Sequence, residues 1–559
     1  MSSANGAGSV IHPAKARPRL PRERLIVEEA PGSEAVPMDV VFVGGGPAGL
    51  AGAIELAKLV RRNRDEGGGL GNVEIAVLEK AAELGGHSLS GAILNPRPFR
   101  ELFPDVADAA FPFRGEVEGE AVYLLRESSS VRVPVPPTMR NHGNRIASIC
   151  EVVRWMGEKA EAVGVNVFPG FPVDSLLVAE GGVRGVRTAP AGLDREGNPG
   201  AAFTPPMEVA ASVTVLAEGT RGSLTQAWME REGIGSTNPQ IYALGVKELW
   251  RVPRPFDRVI HTLGWPLRED TFGGSWIYPM GEDVVSLGLV VGLDSPDARL
   301  DPHVLLQRFK THPRVRSLLE GGELLEWGAK TIPEGGYHAL PRRRHGDGVL
   351  VIGDAAGYVD VPSLKGIHYA VQSGILAARA IFRALEVGDT SEAGLRSYTA
   401  SVDRSFIAED LYRTRNMRGA FRSGLWGGAL SAGAMTLTGG RFPGGVIRME
   451  EDAERPRVVE PSMTPPRPDG KLIFSKLDAV FRSGNRTRDD LPSHLVVGEH
   501  ISPGLADFYA HLCPAGVYER EGDRLVVNAP NCVDCKATDV LGPRWTVREG
   551  GSGPAYRAM

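Results

Sequence analysis

The segment Met38–Gly52, MDVVFVGGGPAGLAG, constrains the fold of this chain more than any other. Val40, Val41, Phe42 and Val43 form a short β-branched and aromatic run, the pattern of a strand buried in a parallel sheet. Gly44, Gly46 and Gly49 follow in G-x-G-x-x-G spacing, with Pro47 and Ala48 between them, and a helical pattern starts at Leu50. The glycines have separate tasks: Gly44 allows a tight turn, Gly46 admits a pyrophosphate against backbone N–H groups, and Gly49 lets the helix pack on the strand. The helix N-terminus adds partial positive charge for the phosphates. A second strand over 74–78 ends in Glu79, followed by Lys80, and an acid there can accept hydrogen bonds from a ribose. Glu79 lies 30 residues past Gly49 because the Gly-rich insert 65–72 lengthens the connection.

This motif alone does not choose between FAD and NAD. The segment Val349–Gly357, VLVIGDAAG, supplies the choice. A strand ending in Gly353-Asp354 and opening a helix resembles the second FAD fingerprint of glutathione-reductase-like flavoproteins, in which the Asp binds the ribitol. Ala217–Gly222, after the apolar run 213–216, resembles the third FAD-domain element of the same group.

The chain has 559 residues, enough for several domains, and a formal net charge of −5 that gives no global signal for nucleic acid. No run of eighteen apolar residues occurs, so a spanning helix is not expected. Residues 1–36 read as a disordered basic arm, because Pro13, Pro18 and Pro21 oppose the amphipathic helix of a transit peptide. Residues 112–136 read as hairpin strands, 146–163 as an amphipathic helix carrying a buried Cys150, and 165–215 as a meander returning to the FAD sheet. Residues 240–300 alternate as a mixed sheet. Within it, Gly273-Gly274 marks either a bulge or a close approach by a ligand. Residues 425–440, LWGGALSAGAMTLTGG, are too short to span a bilayer and fit either a segment dipping into one leaflet or a buried Gly/Ala-rich helix. Residues 454–470 are Pro-rich and charged, as in a linker.

Of four cysteines, three fall in the last fifty residues: Cys513, Cys532 and Cys535. A CxxC pair with a distal Cys-Pro is suited to an iron–sulfur cluster, whereas zinc would want a fourth Cys or His at similar spacing.

At this point the chain resembles the electron-transfer flavoprotein:ubiquinone oxidoreductases. The matching segments include EKAAELGGHSLSGAILNP, HTLGWPL at 261–267, TFGGSWIY at 271–278, PEGGYHALP at 333–341, CPAGVYE at 513–519 and NAPNCVDCK at 528–536, in one order along nearly all of residues 38–559. The resemblance implies an α/β fold, α+β overall: a glutathione-reductase-like FAD-binding Rossmann domain (37–240 and 336–453), an interleaved mixed-sheet quinone-binding domain (241–335) and a ferredoxin-like iron–sulfur domain (471–559). It implies FAD and an iron–sulfur cluster as cofactors, electron-transfer flavoprotein and ubiquinone as partners, and monotopic attachment to a membrane surface. Carried over by position, Gly273 and Gly274 match the quinone site, Cys513, Cys532 and Cys535 match three cluster ligands, and residues 87–105 and 425–440 match membrane-dipping regions. The family's CxxCxxC ends here in Thr538, a poor iron ligand, which leaves [4Fe–4S] or [3Fe–4S] open, with Asp534, Asp539 or hydroxide as a substitute ligand. Arg far outnumbers Lys, which points to a GC-rich bacterial genome and the cytoplasmic face of an inner membrane ahead of a mitochondrion. The competing expectation is an NAD(P)H-dependent FAD monooxygenase or prenyl-lipid reductase. Against it, the sequence holds no second G-x-G-x-x-G for a nicotinamide.

Overall fold

The computed structural model describes residues 9–254, 256–281 and 283–559. Five parallel strands form part of a nine-stranded first sheet, in the order Asn166–Pro169, Ile75–Glu79, Val36–Val43, Glu208–Leu216 and Val349–Val351. Val40, Val41 and Phe42 are wholly buried at its centre, as a strand covered on both faces must be. Helix Pro47–Asp65 leaves the glycine turn and packs on helix Ile367–Val387. Their contact is close: a Cβ at Gly374 would stand 2.3 Å from the Ala48 carbonyl oxygen. The meander expected over 165–215 is present as the antiparallel pair Val173–Ala179 and Gly182–Thr188, which joins Glu208–Leu216.

The second sheet has seven strands, in the order Glu323–Pro333, Tyr242–Arg251, Val284–Gly292, Gly273–Pro279, Arg258–Gly264, Gly119–Leu125 and Ser130–Val133. The last two come from the 112–136 hairpin, so this sheet draws on chain well before residue 241. Helices Pro302–Thr311 and Pro313–Leu319 cover it. Beneath them, Lys310 Nζ donates to Glu248 at 3.0 Å in a wholly buried pair.

Three expectations are corrected. Residues 9–36 are not a disordered arm: Val10–Ile11 pairs with Arg457–Val458, and Ile26–Val27 adds a parallel strand beside Leu176–Leu177. The linker does not begin at 454, because Arg457 is buried and donates to the carbonyls of Leu293 (2.5 Å) and Asp452 (2.7 Å). Within residues 87–105 the large aromatic side chains are not available to lipid, and what the segment exposes is Arg97, Arg100, Glu101, Pro104 and Asp105. Phe99, Leu102 and Phe103 are at most 5% exposed, in the core cluster of the first sheet, because helix Arg97–Leu102 packs on helix Ile367–Val387.

The C-terminal residues have no core of their own. Phe508, Tyr509, Cys513, Val533 and Trp545 share one apolar cluster with Trp250 and Trp327 of the second sheet.

Candidate redox site

A cavity of about 300 Å³ opens where the strands Val36–Val43, Ile75–Glu79, Glu208–Leu216 and Val349–Val351 end. Gly44, Gly46, Pro47, Ala48, Glu79, Lys80, Gly353 and Asp354 all border it. Gly49 does not; a Cβ there would meet the Gly44 carbonyl oxygen at 2.1 Å, so it serves helix-to-strand packing. Gly44 has φ +115°, a conformation that L side chains rarely adopt. Gly46 is different, since a Cβ there would meet nothing within 4 Å. That space lies at the N-terminus of the 19-residue helix, where Pro47 occupies the first turn and needs no hydrogen-bond acceptor. Open space at a helix N-terminus has the geometry and charge to receive a pyrophosphate.

Glu79 accepts from the N–H groups of Gly45 and Ala81, both at 2.8 Å, which fixes its carboxylate at the strand end with lone pairs to spare for ribose hydroxyls. Burial pushes Asp354 up to about 6, while the nearby Lys330 ammonium pulls the other way. The turn Ala217–Thr220 closes a third side of the cavity. These residues fit a dinucleotide whose phosphates sit at the glycine loop and whose ribitol reaches Asp354.

The three cysteines also converge. Cys513, Cys532, Cys535 and Thr538 border a second, small buried cavity of about 20 Å³, together with Tyr518. Asp534 (φ +54°) and Lys536 (φ +62°) alternate with ordinary backbone conformations around Cys535. Such alternation turns successive N–H groups to one side and makes a concavity for anionic sulfur. Backbone N–H groups hydrogen-bond each thiol: Ala515 and Val517 at Cys513, Asp534 at Cys532, Ala537 at Cys535. Burial pushes Cys532 up to about 12, so the thiols need a metal in place of their protons to become thiolates. Three sulfurs in a buried pocket with N–H donors fit an iron–sulfur cluster. His494, Cys532 and Asp534 bring ligand atoms within 4.8 Å of one another, but His494 and Asp534 do not border the cysteine cavity. Cys150 stands apart, buried, with its Sγ donating to the Ser88 carbonyl at 3.1 Å, as its lack of partners predicts.

Lys536 and Trp545 border both cavities. Lys536 Nζ donates to the carbonyls of Thr220 (3.2 Å) and Arg221 (3.0 Å), tying the cysteine loop to the turn that closes the larger cavity. Arg221 in turn is ion-paired with Asp539. Lys80 bridges the same gap, ion-paired with Asp534 and 2.8 Å from His87 Nδ1. Sequence reasoning missed Lys330, Lys365, Lys536 and Trp545 in these walls. Lys330 did carry a signal, a lone charge at an otherwise apolar end of its strand, and Lys536 adjoins the CxxC.

Gly273 and Gly274 do not border the larger cavity. A Cβ at Gly273 would stand 2.2 Å from the Val290 carbonyl oxygen, and one at Gly274 would stand 2.8 Å from that of Thr262. Neighbouring strands therefore occupy the space a side chain would need. The adjacent Phe272 packs edge-on against Phe421 at 5.3 Å, next to helix Gly424–Leu437. That helix exposes Trp426, Leu430 and Leu437 and buries Met435. Among the described residues no helix is long and apolar enough to cross a membrane.

Comparison with known proteins follows the same division. The model of the ubiquinone-binding region of ETF-QO matches residues 242–332, and the model of the 4Fe-4S region of electron transfer flavoprotein-ubiquinone oxidoreductase matches 470–557. The mitochondrial electron transfer flavoprotein-ubiquinone oxidoreductase of Homo sapiens is 38% identical over 557 residues, covering 93% of this chain and 89% of its own length. That of Oryza sativa subsp. japonica is 38% identical over 553 residues, covering 94% of each chain. The chain belongs to this family. Among solved structures, a geranylgeranyl bacteriochlorophyll reductase-like protein from Thermoplasma acidophilum shares the fold of this family member, at TM-score 0.54 and 20% identity over 74% of this chain and 93% of the other. A myxobacterial FAD-dependent chondrochloren halogenase does so at TM-score 0.51 and 19% identity, over 75% and 95%.

Proposed function

We infer that this chain is an electron-transferring-flavoprotein dehydrogenase, which takes electrons from reduced electron-transfer flavoprotein and reduces ubiquinone by means of FAD and an iron–sulfur cluster. The observation that carries the reading is the wall of Lys536 and Trp545 shared by the dinucleotide cavity and the cysteine cavity. Two redox groups held on either side of one side-chain layer can exchange electrons without a mobile carrier. A flavin, when bound, connects single-electron donors to a two-electron acceptor. The chain's own residues do the rest. Gly46 and the helix N-terminus receive the pyrophosphate, Glu79 and Asp354 orient the sugar and the ribitol, and Lys330 and Lys365 set a positive field in the cavity.

Quinone approaches the sheet end at Gly273-Gly274 from the side of helix Gly424–Leu437. Its exposed Trp426, Leu430 and Leu437, flanked by Arg422 and Arg441, suit the interface of an anionic membrane. The membrane is the cytoplasmic face of a bacterial inner membrane, a reading supported by the excess of Arg over Lys, although the matched relatives are named mitochondrial.

The test is a pair of half-reactions. Anaerobic mixing with reduced electron-transfer flavoprotein should bleach the flavin, and a short-chain ubiquinone should then restore its absorbance. Bleaching by NADPH but not by the flavoprotein would replace this reading with a monooxygenase or prenyl-lipid reductase. A photoreactive quinone should label peptides within 262–292; labelling confined elsewhere would remove the glycine pair from the quinone site.

A further inference from the structure

The cysteine cavity has four potential ligand positions on its wall and only three sulfurs. The fourth is Thr538, whose Oγ1 lies 3.3 Å from Tyr518 Oη. A cubane cluster has four iron corners, and each of the three cysteines can serve one. A threonine hydroxyl must lose a far more tightly held proton than a thiol before it can bind iron as an anion. Here its hydrogen-bonding capacity is also engaged by a neutral phenol.

The neighbouring carboxylates cannot replace the missing thiolate. Asp534 Oδ1 accepts from Arg548 at 2.8 Å and from Trp545 Nε1 at 3.0 Å, and its Oδ2 is ion-paired with Lys80. Asp539 Oδ2 is ion-paired with Arg221, and its Oδ1 accepts from the Trp545 N–H at 2.8 Å. Both carboxylates are buried, neither borders the cavity, and turning either inward would strand a buried arginine.

Resting on the reading that these cysteines bind an iron–sulfur cluster, we propose that Cys513, Cys532 and Cys535 hold a cluster whose fourth corner, facing Thr538 and Tyr518, has no protein ligand. The iron at that corner is exchangeable. On one-electron oxidation the [4Fe–4S]²⁺ form yields [3Fe–4S]⁺, one Fe²⁺ and one electron, the electron passing to the oxidant. A reductant with added Fe²⁺ reverses the step. The matched family model is described as 4Fe-4S, so this chain differs from it at one corner.

The experiment uses the full chain purified anaerobically and treated with ferricyanide and a chelator. Iron and acid-labile sulfide should move from a 4:4 towards a 3:4 ratio, with the EPR signal of an oxidised three-iron cluster appearing. Fe²⁺ with dithiothreitol should reverse both changes. Thr538→Cys should keep its fourth iron under the same treatment, while Thr538→Ala should behave like the wild type. A wild-type cluster that holds four irons as firmly as Thr538→Cys, or a Thr538→Ala variant that loses the corner iron much faster than wild type, would overturn the proposal. Iron and sulfide both below about one per chain would overturn the cluster reading itself, and this inference with it.

Discussion

At Gly46 a side chain would enter open space, and at Gly274 it would enter a neighbouring strand. The two glycines therefore fail differently when replaced. Gly46→Val should fold normally and purify without flavin, because its Cβ enters open space and its methyl groups occupy the room proposed for the pyrophosphate. A flavin-replete Gly46→Val protein would show that the cradle is elsewhere. Gly274→Leu should lose stability, by about 1–3 kcal/mol or more as overpacking against the Thr262 carbonyl, and a calorimetric scan will register that whatever happens to quinone. Asp354 carries a pH signature. Its carboxyl titrates near 6 in the folded apoprotein against about 3.9 in an unfolded chain. Between about pH 4 and 6 the folded apoprotein therefore holds a proton that the unfolded chain has released, and this contribution to apoprotein stability declines as pH rises through that window. On the proposed reading, in which ionised Asp354 accepts hydrogen bonds from ribitol hydroxyls, FAD affinity should weaken as pH falls below about 6. Asp354→Asn should flatten that dependence in a fluorescence titration.

Helix Gly424–Leu437 shows what element-level reasoning can and cannot reach. Its Gly/Ala-rich apolar run was legible, but not which side faces out, because small and large apolar residues alternate without a polar face to orient it. Leu430 is 80% and Leu437 90% exposed, whereas Met435 is 1% exposed against Met417 and Ala420. Burying a leucine in lipid contributes about 1.5–3 kcal/mol. Leu430→Asp and Leu437→Asp should each lower liposome partitioning about tenfold or more with no loss of flavin. Met435→Asp should instead destabilise the fold locally. Partitioning that ignores both leucines would separate the helix from the membrane.

Across the molecule, the dinucleotide cavity and the cysteine loop are joined by Arg221–Asp539, by Lys536 on the Thr220 and Arg221 carbonyls, and by Lys80–Asp534. Arg221 and Asp539 are both buried, so Arg221→Ala removes the closer partner of this carboxylate and leaves it only Arg544 at 3.8 Å, a loss that approaches the roughly 3–5 kcal/mol of a broken buried pair. Its effect should not stay within one domain. Flavin and iron should be lost together on purification, and a single lowered thermal transition should replace the wild-type one. Retention of full flavin with loss of iron alone would mean the two regions are energetically separate.

The sequence by itself determined the Rossmann strand, its glycine turn, the Gly-Asp return and the three-cysteine set, because each is a local pattern whose chemistry needs residues close together in the chain. It also determined the missing fourth thiolate, since a threonine at position 538 can be read without coordinates. Only the tertiary structure decided that strands 119–133 complete the second sheet, that residues 9–36 and 457 are packed, and that Phe99, Leu102 and Phe103 are core. It alone brought Lys330, Lys365, Lys536 and Trp545 to the cavity walls and turned Asp534 and Asp539 towards arginines. Those outcomes depend on contacts between residues up to several hundred positions apart, where burial and charge pairing choose a side chain's direction and local periodicity carries no information about it.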